Sequence, residues 1–231
     1  MESIKKHIVF WLFKLFGIHF SFSAIVHVGL RNVKDFYFVQ IGANDGLALD
    51  PIYHAVLKNK WKGVLIEPQK EYFDKLKINY ANHQEGLIFL NVAIAETNGK
   101  RKLYKVKKDC MKHPWDFGIA ALTVDRGDIS KFDSNDLEVE EVDAMTMSSL
   151  IHDYHIKKID LLQIDVEGYD YEIIKQIDFY QFSPALIRYE HYHLKPEEQQ
   201  DCENYLRAKG YNIYRELMDT VAYSKNFRSL M

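Results

Sequence analysis

From Phe36 onward, short apolar runs alternate with stretches of helical spacing, and this alternation limits the fold more than any other feature. "FYFVQIG" reads as a buried strand, "LDPIYHAVLKN" as a helix, "KGVLIEP" as a strand, "KEYFDKLKINYAN" as a helix and "GLIFLNVAIAE" as a strand again. "KIDLLQIDVEG", "YDYEIIKQI" and "PALIRYEHYH" continue the pattern as strand, helix and strand. "PEEQQDCENYLRAKG" opens with Pro, has acids in its first turn and closes on Gly, the punctuation of a helix. Such a series predicts an α/β fold with a parallel sheet and crossover helices. "YNIYREL" and "TVAYSK", around a turn at Met218-Asp219, predict a C-terminal antiparallel hairpin.

The rest of the chain is less regular. Its 231 residues, 47% hydrophobic, suffice for one sizeable core. The net charge of −3 supplies no basic field for nucleic acid. The only cysteines, Cys110 and Cys202, make neither a disulfide framework nor a zinc set, which suits a reducing, cytoplasmic setting. Residues 1–35 read as an N-terminal apolar helical segment ahead of a domain spanning 36–231. The run Ile8–Phe16 is broken by Lys14 and falls short of the ~20 residues of a membrane span. Packing on its own domain, homo-oligomer formation and contact with a membrane surface all remain open for it. After the Asn98-Gly99 turn we expect a short edge element. The weakly periodic, charged stretch 107–143 is too long for an ordinary connection, and reads as a functional lid or a partly disordered segment.

"QIGANDG" places Gly42 and Gly46 at a strand-to-helix turn, with Asn44 where a dinucleotide fingerprint has its middle glycine. That side chain crowds a pyrophosphate but suits a ligand without phosphate, such as S-adenosylmethionine. Backbone N–H groups around Ala43, Asn44, Asp45 and Leu47 can take the donor's carboxylate. Glu67, followed by Pro68, ends the second strand where an acid accepts both ribose hydroxyls. A hairpin ending a parallel sheet also fits the seven-stranded methyltransferase variant better than NAD-binding domains.

The blocks "FVQIGANDG", "LIEPQKEYFDKL", "FLNVAIAETNGKRKLY", "LLQIDVEGYDYEIIKQIDF" and "YEHYHL" occur in the order found in the FkbM family of class I methyltransferases, which this chain resembles from about Phe36 to its end. The resemblance implies a Rossmann-like fold, S-adenosylmethionine as methyl donor, and a hydroxyl of a sugar, glycan precursor or natural product as acceptor. By position it implies a donor loop of Gly42, Asn44 and Gly46, ribose binding by Glu67, and Asn91, Val92 and Ala93 beside the adenine. Gln40 stands where many members carry Asp, so its amide meets the donor's ammonium without a charge.

Methyl transfer needs an aligned nucleophile and a group to take its proton. Asp165 and Glu167 sit at the carboxyl end of a central strand, where open α/β sheets bind ligands. Asp165 can hold the donor's amino group or orient the acceptor; Glu167 can hold substrate or cap the helix that follows. At the next strand's end, His191 is the expected base, with Glu190 as the alternative and His193 at the surface. A divalent metal on Asp165, Glu190 and His191 is not favoured, because no Asp-Asn pair of the catechol-methyltransferase kind follows Asp165. In the lid, Trp115 and Phe117 can stack on a sugar face, with His113 and Lys107, Lys108 and Lys112 holding an anionic group. Competing readings are an NAD(P)-dependent oxidoreductase and a non-catalytic binding domain.

Overall fold

The computed structural model describes residues 21–30, 33–113, 118–225 and 227. Elements follow in chain order: β1 (Tyr37–Ile41), α1 (Tyr53–Asn59), β2 (Lys62–Ile66), α2 (Lys70–Asn79), β3 (Leu87–Leu90), β4 (Ala93–Ile94), β5 (Gly99–Val106), β6 (Ala120–Ala121), β7 (Leu137–Met145), α3 (Met147–Asp153), β8 (Leu161–Ile164), α4 (Asp170–Lys175), β9 (Leu186–Glu190), α5 (Pro196–Ala208), β10 (Asn212–Arg215) and β11 (Asp219–Tyr223). The main sheet has seven strands in the order β10-β11-β9-β8-β1-β2-β3. β3, β2, β1, β8 and β9 are parallel, and β11 runs antiparallel between β9 and β10, as the terminal hairpin predicts.

The parallel strands are covered on both faces, which is why they read as near-continuous apolar runs. Val39, Ile41, Val64, Ile66, Leu162, Ile164 and Ile187 point into one apolar layer with α3, α4 and α5. Phe38, Leu65, Leu161 and Leu186 point into the other, against α1 and α2. Trp61 is buried there, its ring 4.1 Å from that of Phe36. The helical turn Phe22–Ala24, continued as a π-turn over Ile25–Gly29, contributes Phe22, Ile25 and Val26 to the same layer. This part of the N-terminal segment therefore packs on its own domain; the run Ile8–Phe16 lies outside the described residues. No helix among the described residues is long and apolar enough to cross a membrane.

α5 starts where its punctuation says: Pro196 occupies the first turn, and the Glu198 carboxylate accepts the Lys195 N–H at 3.2 Å. α1 is shorter than its pattern, because Asp50 Oδ1 accepts the Ile52 and Tyr53 N–H groups and holds the preceding residues in a turn.

The region after β3 departs most from expectation. "GLIFLNVAIAE" is two strands: the chain leaves the main sheet at Asn91 and enters a second sheet as β4. That sheet has four strands in the order β4-β7-β5-β6. The short edge element expected after Asn98-Gly99 is β5, eight residues long, paired antiparallel along its length with β7. β7 includes the last part of the stretch read as a lid, so 107–143 is in part regular sheet. Lys105 pairs with Glu138 and Glu140 across the strands, and Lys100 with Asp143. We call this sheet and its connections the roof.

Candidate active site

A cleft of about 830 Å³ opens at the carboxyl ends of β1, β2, β8 and β9, with the roof above it. Gly42, at the end of β1, has φ +78°, and a Cβ there would lie 1.8 Å from the Asp165 carbonyl oxygen. Only glycine lets β1 and the chain leaving β8 come this close. Asn44 also takes a left-handed conformation, φ +48°, and lines the cleft. Gly46 does not line it: a Cβ there would strike Leu76 and Tyr80, so this glycine serves the packing of α2 against the turn.

The turn's N–H groups are already used. Those of Gly42 and Ala43 donate to the Ile66 carbonyl, that of Asn44 to Glu67, that of Asp45 to the Asn44 side chain, and that of Gly46 to the Ala43 carbonyl. Leu47 and Ala48 donate to the Asp45 carboxylate. The expectation that these N–H groups take the donor's carboxylate is therefore corrected. The same accounting leaves a dinucleotide's pyrophosphate no backbone donors in this turn. Asp45 is consumed in shaping the loop.

Glu67 is buried at the end of β2, with Oε2 accepting the Asn44 N–H at 2.9 Å and Oε1 the Gln69 N–H at 2.8 Å. Burial raises its pKa to about 7, against the lowering effect of those bonds. Each oxygen keeps a lone pair for a ligand hydroxyl. Pro68, Val92 and Ala93 line the cleft beside it. Asn91 braces the turn instead, its Nδ2 donating to the Glu67 and Pro68 carbonyls at 2.9 and 2.8 Å.

Across the floor, Gln40, Gln163 and Arg188 stand in register on β1, β8 and β9, and all line the cleft. Gln40 donates to Asp50, and Arg188 pairs with Asp219 at 2.5 Å while its Nε has no partner among the described residues.

At the far end, β8 delivers Asp165 and Glu167, and β9 delivers Glu190. Glu167 sits in a left-handed conformation, φ +55°, of the strained kind that gathers at working sites. His193 lies among carboxylates: Nδ1 is 2.5 Å from Glu190 and 3.2 Å from Glu167, and Nε2 is 2.9 Å from Asp128 of the roof. Burial and the charges of Glu190 and Glu167 raise Asp165 to about 8. Burial raises Glu167 to about 7, opposed by His193. For His193 burial acts downward, but the Glu190 hydrogen bond and the Glu167, Glu190 and Asp128 charges prevail and lift it to about 9.

Two histidine expectations are thus reversed. His191 does not line the cleft. Continuing the strand alternation turns it to the opposite side, where it is buried with Nδ1 3.0 Å from Thr220 Oγ1. His193, expected at the surface, has a side chain only 8% exposed and faces the cleft. The signal for it was the spacing in "EHYH": β9 stops at Glu190, and the turn after it brings the residue three positions on back to the same side. Asp128, Lys131 and Arg188, which also line the cleft, had no local sequence signal.

The roof is fastened at both sides of the cleft. Gln69 Nε2 donates to the Gly118 carbonyl at 2.7 Å on the Glu67 side. On the other side Arg126 donates to the Gly168 carbonyl at 2.9 Å and pairs with Glu198 at 2.8 Å. Lys107, Lys108, Lys112 and His113 do not line the cleft; Lys107 donates to the Asn135 carbonyl and Lys108 pairs with Glu71. Trp115 and Phe117 lie outside the described residues. Arg126→Ala is expected to release the second fastening, so that limited proteolysis cuts 107–136 several-fold faster; an unchanged cleavage rate would show that these contacts do not hold the roof.

A sequence model of the methyltransferase FkbM domain matches residues 40–213. No curated protein matches. Among solved structures, methyltransferase FkbM from Methylobacillus flagellatus KT is similar at TM-score 0.56 and 14% identity, over 90% of this chain and 49% of that one. The present chain thus spans about half the length of that protein. Precorrin-6y C5,15-methyltransferase from Geobacter metallireducens GS-15 matches at TM-score 0.48 and 11% identity, over 88% of this chain and 87% of that one. An SAM-dependent O-methyltransferase from Thermotoga maritima matches at 0.47 and 11%, over 90% and 66%.

Proposed function

The chain belongs to the FkbM methyltransferase family, and from that premise we propose that it transfers the methyl group of S-adenosylmethionine to a hydroxyl of a sugar, glycan precursor or natural product. One observation carries the reading: a single cleft has the Gly42 turn and Glu67 at one end and Asp165, Glu167, Glu190 and His193 at the other. The Glu67 oxygens are placed for ribose hydroxyls, with Val92 and Ala93 as the apolar wall for a base. Arg188, with its unpartnered Nε, is the floor cation for the donor's carboxylate, and the Gln40 amide receives its ammonium. When bound, the donor supplies a methyl carbon made electrophilic by the positive sulfur. The chain's own task is to hold an acceptor oxygen in line and to receive its proton, which falls to the carboxylates at the ends of β8 and β9. None of Lys107, Lys108, Lys112 and His113, on which an anionic acceptor rested, lines the cleft, which favours a neutral polyol acceptor.

Calorimetry with S-adenosylhomocysteine tests the donor end. Glu67→Gln is expected to weaken binding by ~1.5–3 kcal/mol. The ionised carboxylate is the better acceptor, and Glu67 becomes ionised in the free protein as pH rises through about 7. Affinity should therefore rise from pH 5.5 to a plateau above neutrality, approaching roughly tenfold per unit on the acid side. Glu67→Gln should flatten that profile. Undiminished binding in the variant would sink the assignment.

A further inference from the structure

Glu167, Glu190 and His193 come together from the chain after β8, the end of β9 and the turn beyond it, and all three line the cleft. One ligating atom from each lies within 4.8 Å of the others. An octahedral ion with ~2.1 Å bonds sets neighbouring ligand atoms roughly 3 Å apart. His193 Nδ1 is 3.2 Å from Glu167 and 2.5 Å from Glu190, so such an ion fits once Glu190 withdraws by about half an ångström. Nε2 of the same ring is held by Asp128 at 2.9 Å, the outer partner that fixes the tautomer and orientation of a ligating imidazole.

An independent observation lies behind the glutamates. Asp170 is fully buried; its Oδ1 accepts the Glu190 N–H at 3.1 Å, and its Oδ2 has no partner among the described residues. The neighbouring cations are engaged elsewhere: Arg188 with Asp219, Arg126 with Glu198 and Lys131 with Asp128. The imidazole of His193 is the group the chain sets among the carboxyls of Glu167 and Glu190, with Asp165 and Asp170 close behind, and a divalent ion on the glutamates would relieve this crowding of acids.

We propose that Glu167, Glu190 and His193 bind one divalent cation of the Mg²⁺ and Mn²⁺ class, with its open positions turned to the cleft. Two carboxylates and one imidazole suit such an ion, and the absence of a thiol from the set disfavours softer metals. At the acceptor end the ion holds the acceptor oxygen and acidifies its hydroxyl, a role that rests on the methyl-transfer reading above, whereas binding itself does not.

Mn²⁺ alone is the probe. The full chain, stripped of metal by chelation, is titrated with Mn²⁺ while electron paramagnetic resonance reads the free ion; one ion per chain is expected. Glu167→Gln and His193→Gln should each weaken binding by roughly 100-fold or more, and Asp128→Asn by about 10–100-fold. Spin-echo modulation from a directly bound imidazole nitrogen should appear in the parent and vanish in His193→Gln, with thermal melts confirming that the variants fold. Sub-stoichiometric binding, binding that survives both ligand substitutions, or no nitrogen signal overturns the site. Titration of the same proteins with S-adenosylhomocysteine separates the two readings. Donor binding without a Mn²⁺ site removes the ion alone, and a Mn²⁺ site without donor binding removes the transfer reaction alone.

Discussion

Gly42→Ala is expected to destabilise the protein by about 4 kcal/mol or more and to abolish binding of S-adenosylhomocysteine. Two costs combine. At φ +78° an L-residue pays the left-handed penalty of ~1–2 kcal/mol. The larger cost is steric, because the new Cβ would stand 1.8 Å from the Asp165 carbonyl oxygen. A backbone atom cannot rotate away as a side chain can. β1 and the chain leaving β8 must part, which breaks the 3.0 Å bond from the Asp165 N–H to the Ile41 carbonyl and displaces Asp165 from the cleft. Denaturant unfolding and donor calorimetry measure the two effects. A variant that unfolds at the parent's midpoint and still binds the donor would refute the close approach.

Glu190→Gln is expected to lower turnover by about 10²–10⁴-fold while leaving S-adenosylhomocysteine affinity unchanged. It keeps the shape of the side chain but removes the charge that faces Nδ1 of His193. His191→Ala supplies the contrast. Its ring is buried against Thr220, away from the cleft, so the expected result is a loss of ~1–3 kcal/mol in stability with near-parental turnover. Steady-state kinetics on any accepted hydroxyl substrate, beside thermal melts, distinguishes the pair. The reverse pattern, with turnover lost in His191→Ala and kept in Glu190→Gln, would return the base to His191.

The parts of this fold that were legible share a physical property. β1, β2, β8 and β9 are covered on both faces, so their sequences are near-continuous apolar runs, interrupted inside by Gln40, Gln163 and Arg188 at the cleft floor. The hairpin β10–β11 and helix α5 announce themselves by local turn and cap chemistry. The roof does not. "GKRKLYKV" and "LEVEEVDAM" form a solvated, ion-paired surface, so the alternation that marks a strand is carried by charge as much as by apolar residues. Their pairing also bridges a long sequence gap, and nothing local specifies it. α3 is only seven residues long, and its start is signalled by little more than Thr146, whose Oγ1 accepts the Ser149 N–H at 3.0 Å.

The candidate site divides in the same way. Gly42, Glu67, Asp165, Glu167 and Glu190 could be found because each sits at the carboxyl end of a recognisable strand. His193 stands beyond the last residue of β9, where alternation no longer predicts direction. Asp128 reaches it from 65 positions away in sequence, through a segment without strong periodicity. Asn44, Asp45 and Leu47 were placed in the right turn, but whether their N–H groups were free depended on bonds that only the folded loop reveals.

The continuity of the roof has a consequence for inheritance. Among the described residues, everything it presents to the cleft apart from Ala93 and Ile94 of β4, from Leu103 through Ala121 and Asp128 to Lys131, is encoded between Gly99 and Met145. The residues proposed for the donor lie outside that interval. Two crossovers can therefore exchange nearly the whole upper wall while the machinery below passes on intact. Beside the fastenings at Gly118 and Arg126, Asp128 sets a compatibility rule for such a graft. An incoming segment has to bring an acid to the same point, or His193 loses the partner on its far nitrogen.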